Sequence, residues 1–196
     1  MNRRLLLASI ATAAASRVAA QTSAPQQAPA QTIAPPAPAM GGMSDAQRKH
    51  INDTMAVGSL SLVLSRIALP KADNALLKQF IEFEIAEQET VADILKTLRT
   101  NGAPTGSIEA PTDAELMRNL DETGKASVEK LRASRAGSKF DHAYIQYEVE
   151  GHRKLLDIQE VYLKVHDNLD QTNIAKLARG MIKEHLTLLT GVQKVG

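Results

Sequence analysis

The stretch TNIAKLARGMIKEHLTLLTGVQKV, residues 172–195, decides the fold class of this chain. Its apolar residues recur every three or four positions, which is the spacing of one face of an α-helix. One histidine interrupts this otherwise apolar stripe, which consists of Ile174, Ala178, Met181, His185, Leu188, Val192 and Val195. We therefore expect His185 to point into the core of a helical protein.

Two earlier segments carry the same helical pattern, again with polar residues on the apolar face. One stripe has a histidine with Glu148 one turn before it, and consists of Ile145, Val149, His152, Leu156 and Leu163. The other includes two glutamates, and consists of Leu77, Phe80, Glu84, Glu87, Val91, Ile94 and Leu98. Buried charged groups without partners are costly, so these side chains need each other, water or a metal ion as partners.

Helix start and stop signals divide the rest of the chain. Ser44 with Gln47, and Thr112 with Glu115, have the spacing of capping boxes. The predicted helices run from 44 to before Pro70, 73 to 101, 112 to about 136 with a weak point at Gly124, 139 to 168, and from a cap at Thr172 onward. No segment shows the alternation typical of strands. The sequence thus predicts an all-α fold, a ferritin-like four-helix bundle with a short extra helix between the second and third long helices.

Residues 1–20 have the pattern of a cleaved export signal. They combine a basic start, an apolar run and small residues at the end. Arg3 and Arg4 also fit the twin-arginine pattern, although the general secretory signal is the favoured interpretation of so short a motif. The apolar run is too short for a stable transmembrane anchor. We therefore expect a periplasmic or exported protein, with peripheral association with the outer membrane as a further option.

The segment after the signal is expected to be a disordered linker. Residues 21–43 are mostly Ala, Pro, Gln and Thr and contain five of the eight prolines. This composition cannot bury a core. The helical domain is therefore predicted to span residues 44–196.

Charge and cysteine content exclude several classes of function. Loss of residues 1–20 removes three of the 23 basic residues and no acidic residue, which leaves 20 basic against 22 acidic residues. Such a chain lacks the basic surface that nucleic-acid binding requires. The absence of cysteine excludes disulfides, thiol catalysis and a lipoprotein anchor. The stability of an exported domain must then come from its apolar core.

The inward histidines and carboxylates indicate a candidate metal site. Ferritin-like di-metal sites use Glu-x-x-His motifs, which this chain lacks. It has Glu148-x-x-x-His152 instead, with both side chains on one helix face. His152 and His185, together with Glu148 and Glu84 or Glu87, can supply nitrogen and oxygen ligands to an iron, zinc or manganese ion.

The alternative is a polar core layer without a metal. In this interpretation the imidazoles and carboxylates hydrogen-bond to one another and to Tyr144 or Tyr147, with Gln88 in the same layer. Polar layers of this kind fix the register of packed helices. The sequence alone leaves both interpretations open.

Several motifs together resemble a known family. They are Phe140-Asp141-x-x-Tyr144 followed after seven residues by His152, the segment from Leu177-Ala178 to His185, Leu77-Lys78-x-Phe80, and Gly58 to Ala68. They resemble the bacterial ferritin-like domains of the domain of unknown function 4142 family, which are linked to the periplasm or outer membrane. The resemblance implies an exported helical bundle without an established biochemical activity.

This chain departs from the family pattern at two polar positions. It has Glu87-Gln88 where members usually carry Asp-His, and Ser61 where many carry a glutamate. Both changes give poorer metal ligands, so the resemblance implies a reduced site or none.

Three functions follow from these observations. The first is a non-enzymatic binding or envelope stress protein, with no catalytic residue. The second is a metal-dependent redox or storage protein that uses His152, His185 and Glu148. The third is a structural module whose linker lets the bundle reach an envelope protein partner.

Overall fold

Six α-helices and no strand occur in the part of the chain that the computed structural model describes, residues 42–195. They are α1 (Asp45–Ala68), α2 (Ala75–Thr100), α3 (Asp113–Arg118), α4 (Glu122–Ala133), α5 (Ser138–Val165) and α6 (Leu169–Val195). The predicted all-α fold is thereby confirmed. The predicted export signal, 1–20, and all but the last two residues of the predicted linker lie outside the described residues.

The first two helices begin and end close to the predicted positions. The Ser44 hydroxyl caps α1 by accepting a hydrogen bond of 3.1 Å from the backbone N–H of Gln47. Only half of the capping box forms, because the Gln47 side chain donates to Asp167 instead. Helix α2 ends at Thr100, and the next residue, Asn101, has a left-handed φ of 51°, a conformation that asparagine tolerates at helix ends.

The predicted short helix from 112 to about 136 is in fact two helices, α3 and α4. The chain breaks between them because the Asp121 side chain accepts a hydrogen bond of 2.7 Å from the backbone N–H of Gly124 and so caps a new helix. Gly124 therefore lies in the first turn of α4. A Cβ atom there would lie 3.3 Å from Leu120 Cβ, so the absence of a side chain allows the close approach.

Helix α6 begins one turn earlier than predicted. Its first turn is capped by Asn168, whose side chain accepts a hydrogen bond of 3.0 Å from the backbone N–H of Gln171. Thr172 lies inside this turn and is not the cap.

The buried stripe of α6 is also displaced to one side of the predicted stripe. Positions 178, 185 and 192 are buried as expected. Leu188, however, is 47% exposed, while Leu189 and Ile182 are buried. The reason is the position of α5, since Ile182 packs with Leu155 of that helix.

The four long helices pack as a bundle in which each neighbouring pair is antiparallel. Helix α1 packs against α2 and α5, and α6 packs against α5 and α2. Hydrogen bonds join Ser65 to Tyr144 and Ser61 to Glu148, so residue numbers rise along α1 as they fall along α5. Since α1 is antiparallel to both α2 and α5, these two helices run in the same direction. The segment between α2 and α5, which contains α3 and α4, must therefore run back along the length of the bundle.

The apolar core is largest where α1, α2, α4 and α5 meet. Fully buried members include Leu62, Leu77, Ile81 and Phe140. Burial of a large apolar side chain contributes roughly 1.5–3 kcal/mol to folding, so this cluster stabilises the frame that holds the polar residues described below. None of the helices within residues 42–195 is long and apolar enough to span a bilayer.

Candidate metal site

Three buried side chains from three helices converge in the middle of the bundle: Glu84 on α2, His152 on α5 and His185 on α6. His152 Nε2 lies 3.2 Å from Glu84 Oε2 and 3.0 Å from His185 Nδ1. His185 Nδ1 in turn lies 2.8 Å from Glu84 Oε2. Ligand atoms of a tetrahedral zinc ion are about 3.3 Å apart, given metal–ligand bonds of about 2.0–2.1 Å. The three atoms thus form a triangle close in size to one face of a metal site.

The hydrogen bonding of His152 presents its Nε2 atom as an electron-pair donor. The other ring nitrogen, Nδ1, lies 2.8 Å from the backbone carbonyl oxygen of Glu148 in the preceding turn of α5. A carbonyl oxygen only accepts, so Nδ1 must carry the proton. In the neutral ring, Nε2 then has a free electron pair directed at Glu84 and His185.

In His185 the surroundings favour the opposite tautomer, with the proton on Nε2 and the free electron pair on Nδ1. Its Nε2 lies 3.0 Å from Glu87 Oε2, at the edge of the site. A carboxylate beside Nε2 favours a proton on that atom, which leaves the electron pair of Nδ1 free. Glu87 is 35% exposed by side chain. It is therefore better placed to orient His185 than to act as a buried ligand.

Glu84 Oε2 is the third member of the triangle and lacks a hydrogen-bond partner among the described residues. Neither ring N–H is aligned with it, although both ring nitrogens are close. An unsatisfied buried acceptor costs about 1–3 kcal/mol, and more when charged. A metal ion bound by this oxygen and the two imidazoles would remove that cost.

Ser61 of α1 links Glu84 to Glu148. Its Oγ lies 2.5 Å from Glu84 Oε1 and 2.6 Å from Glu148 Oε2. A hydroxyl has a single hydrogen to donate, so both contacts are hydrogen bonds only if one carboxyl is protonated. The shared serine therefore couples the protonation of the two acids.

Burial and charge identify Glu148 as the protonated acid. Burial raises the pKa of Glu148, and repulsion from Glu84 raises it further, to about 8. Burial also acts to raise the pKa of Glu84, but the contacts with His152 and His185 outweigh it and hold that pKa well below its usual range. At neutral pH, Glu84 is thus ionised and Glu148 is mostly neutral.

The same contacts determine the charge on His152. Burial acts to lower the pKa of His152, but its contacts with Glu84 and Glu148 outweigh burial and raise the pKa to about 9. A metal ion that binds Nε2 must therefore compete with a proton, as is general for histidine ligands.

Of the remaining predicted residues, Tyr144 and Gln88 lie beside the site. Tyr144 is fully buried, but its hydroxyl bonds to Ser65 at 2.7 Å rather than to an imidazole or carboxylate. Tyr144 thus lies in the core as predicted, but its hydroxyl does not make the bond to an imidazole or carboxylate that the interpretation without metal offered for Tyr144 or Tyr147. Gln88 is half-buried, and its side-chain oxygen lies against Gly58 of α1.

Sequence reasoning did not identify a second buried polar cluster, around His50. The His50 ring contacts Gln159 at 2.6 Å and Gln171 at 2.8 Å, and it stacks on Tyr162. Its signal was weak, since glutamines on helices are usually exposed. The cluster joins the ends of α1, α5 and α6 and supplies no carboxylate to the ring.

Comparison with known proteins places the chain in a family. No curated protein and no solved structure matches it. The model of the family described as Domain of unknown function (DUF4142) matches residues 30–191, which is most of the chain and includes all three residues of the triangle. The predicted family is confirmed, and the chain belongs to the domain of unknown function 4142 family.

Proposed function

We propose that this protein binds one divalent metal ion, Zn²⁺ or Fe²⁺, through Glu84 Oε2, His152 Nε2 and His185 Nδ1. Two imidazoles and one carboxylate are a ligand set found in zinc sites and in non-haem iron sites. The observation that carries the proposal is the convergence of three buried electron-pair donors to within 3.2 Å of one another.

A hydrogen-bonded layer without metal explains this arrangement less well. Such a layer needs a donor for each acceptor, and Glu84 Oε2 has no aligned donor among the described residues. Glu87 Oε2 and Glu148 Oε1 are two further buried oxygens in the same condition. A metal ion at the triangle would bind Glu84 Oε2 directly and would take the place of the proton that the contact with Glu84 favours on His152.

The helix arrangement supports a ferritin-like bundle that holds a single ion. One long connection between parallel helices, here α2 and α5, is a feature of ferritin-like folds. A di-iron centre needs carboxylates from all four helices, and α1 contributes only Ser61 at this level. We therefore infer a mononuclear metal-binding protein without a di-iron redox centre.

The export pattern in the sequence of residues 1–20 supports a periplasmic location for this proposed function. A protein with a single buried ion there would act in metal binding or envelope protection, with no catalytic residue required. The envelope stress role proposed from sequence is compatible with such a site, because bound iron is withheld from unwanted redox reactions.

The test is elemental analysis of the protein exported by a bacterial host with its own leader. We expect one metal ion per chain in the wild type, and none in the His152→Gln or His185→Gln variants. His142→Gln is the matched control, since His142 is exposed on α5. A wild-type protein that contains no metal and binds none on titration with Zn²⁺ or Fe²⁺ would reject the proposal.

A further inference from the structure

A small cavity adjoins the two imidazoles that would bind the ion, and Glu84 is not among its lining residues. Its volume is about 30 Å³, and its lining includes His152, His185, Glu87 and Thr54. This is enough space for a water molecule, and polar side chains in the wall can bind one. A metal ion at the triangle would therefore have room for a ligand that does not come from the protein.

A larger cavity of about 180 Å³ lies between α1, α2 and α3. Three residues line both cavities: Thr54, Gln88 and Val91. A thin wall of side chains thus separates the inner space at the imidazoles from the outer one.

Gln88 is the part of this wall best able to move. Thr54 and Val91 are β-branched and have restricted rotamers, whereas a glutamine side chain has three rotatable bonds. The Gln88 amide oxygen occupies space next to α1 that is free only because residue 58 is glycine, since a Cβ there would lie 2.7 Å from it. A rotamer change of Gln88 would join the two cavities.

The charge of the outer cavity favours anions. Lys96, Arg99 and Arg118 line it, against two acids, Glu109 and Glu115. The Lys96 ammonium lies 3.4 Å from Glu109 and offsets its charge. Two positive charges, on Arg99 and Arg118, then face one negative charge, on Glu115. Clefts lined by an excess of one charge raise the local concentration of the opposite charge.

From these features we propose that the metal ion keeps one exchangeable ligand position facing the inner cavity. Water or a short monodentate anion occupies it, and Gln88 controls entry from the outer cavity. The inference rests on the proposed metal site and adds to it the ligand class and the route. It predicts a metal site with one exchangeable ligand and not a closed structural site.

The test uses full-length protein loaded with Co²⁺, whose visible spectrum reports its ligands, and azide as the probe. Metal content is measured first in each variant. We expect azide to change the spectrum of the wild type, and to bind several-fold faster in Gln88→Ala, where the wall is opened. Ala92→Phe, which fills the outer cavity, should slow azide binding several-fold. Ala86→Phe places the same side chain at an exposed position of α2 and should leave the rate unchanged.

The possible outcomes distinguish this inference from the proposed function. If the wild type binds one Co²⁺ but azide leaves its spectrum unchanged, the exchangeable position is wrong and the metal site stands. If azide binds at one rate in the wild type, Gln88→Ala and Ala92→Phe, the route is wrong. If Co²⁺ does not bind at all, the proposed function fails, and this inference fails with it.

Discussion

Gln171 Nε2 donates a hydrogen bond of 2.8 Å to Nδ1 of His50. The same amide nitrogen donates to the backbone carbonyl of Gln47 at 2.9 Å, so its orientation is fixed. Protonation of His50 at Nδ1 would make the ring N–H face the N–H of Gln171, and neither group could accept a hydrogen bond from the other. The ends of α1, α5 and α6 are thus joined by a cluster that requires a neutral imidazole.

This cluster predicts a loss of stability in acid. Burial lowers the pKa of His50 below 6.5, and this effect outweighs the hydrogen bond to Gln159 and the charge of Asp53, which raise it. A lowered histidine pKa contributes stability that is present above the unfolded-state value and is lost as the pH falls through the folded-state value. Urea unfolding of metal-free protein should therefore show a larger loss of unfolding free energy between about pH 7 and pH 5 in the wild type than in His50→Gln. Equal losses would contradict this.

Ser61→Ala should weaken metal binding without removing a ligand. The substitution deletes the hydroxyl between Glu84 and Glu148, which orients the Glu84 carboxylate. Loss of such a supporting hydrogen bond typically reduces metal affinity by about 10–100-fold. Competition titration with a zinc chelator measures the change.

Ser65→Ala is the control for Ser61→Ala. Ser65 is also buried in α1, but its hydroxyl bonds to Tyr144 and not to the proposed metal ligands. This variant should lose stability and keep wild-type zinc affinity. If both variants bind zinc as the wild type does, the proposed role of Ser61 is incorrect.

Zinc should stabilise the folded protein. A ligand that binds only the folded state adds about 2.7 kcal/mol at a free concentration 100 times its Kd. For a domain of this size the corresponding rise in Tm is about 5–10 °C. Calorimetry with and without a chelator measures it, and the His185→Gln variant should show no rise. An equal rise in that variant would mean that zinc binds elsewhere.

The three-residue ligand set also predicts an order of affinity among metals. Sites with nitrogen and oxygen ligands bind Mn²⁺ more weakly than Fe²⁺, and Fe²⁺ more weakly than Zn²⁺. Anaerobic competition titrations should give this order. Tighter binding of Mn²⁺ than of Zn²⁺ would indicate an oxygen-rich site formed by Glu148 and Glu87 in place of the imidazoles.

The 3.6-residue period of the helix was sufficient to predict which polar side chains are buried inside the bundle. His152 and His185 lie on apolar stripes, and the structure buries both, together with Glu84 and Glu148. Glu87 is three residues further along α2 and lies at the edge, because three residues fall short of a full helical turn and its side chain points about 60° away from that of Glu84.

Features that depend on contacts between distant segments could not be predicted in this way. The sequence marked Ser61 only as a departure from the family pattern, so the link that it makes between two glutamates required the structure. The break before α4 was missed because Gly124 reads as a weak point within a helix, whereas the cap by Asp121 depends on local geometry.

The course of the chain through the bundle bears on how an ion would leave the protein. Helices α1 and α2 form one sequence-adjacent hairpin and α5 and α6 form another. Glu84 belongs to the first hairpin, whereas both histidines belong to the second. An ion bound by all three residues would therefore cross-link the two hairpins. Dissociation of the ion and separation of the two hairpins would then be thermodynamically coupled. A partner that separates the hairpins would therefore also release the ion.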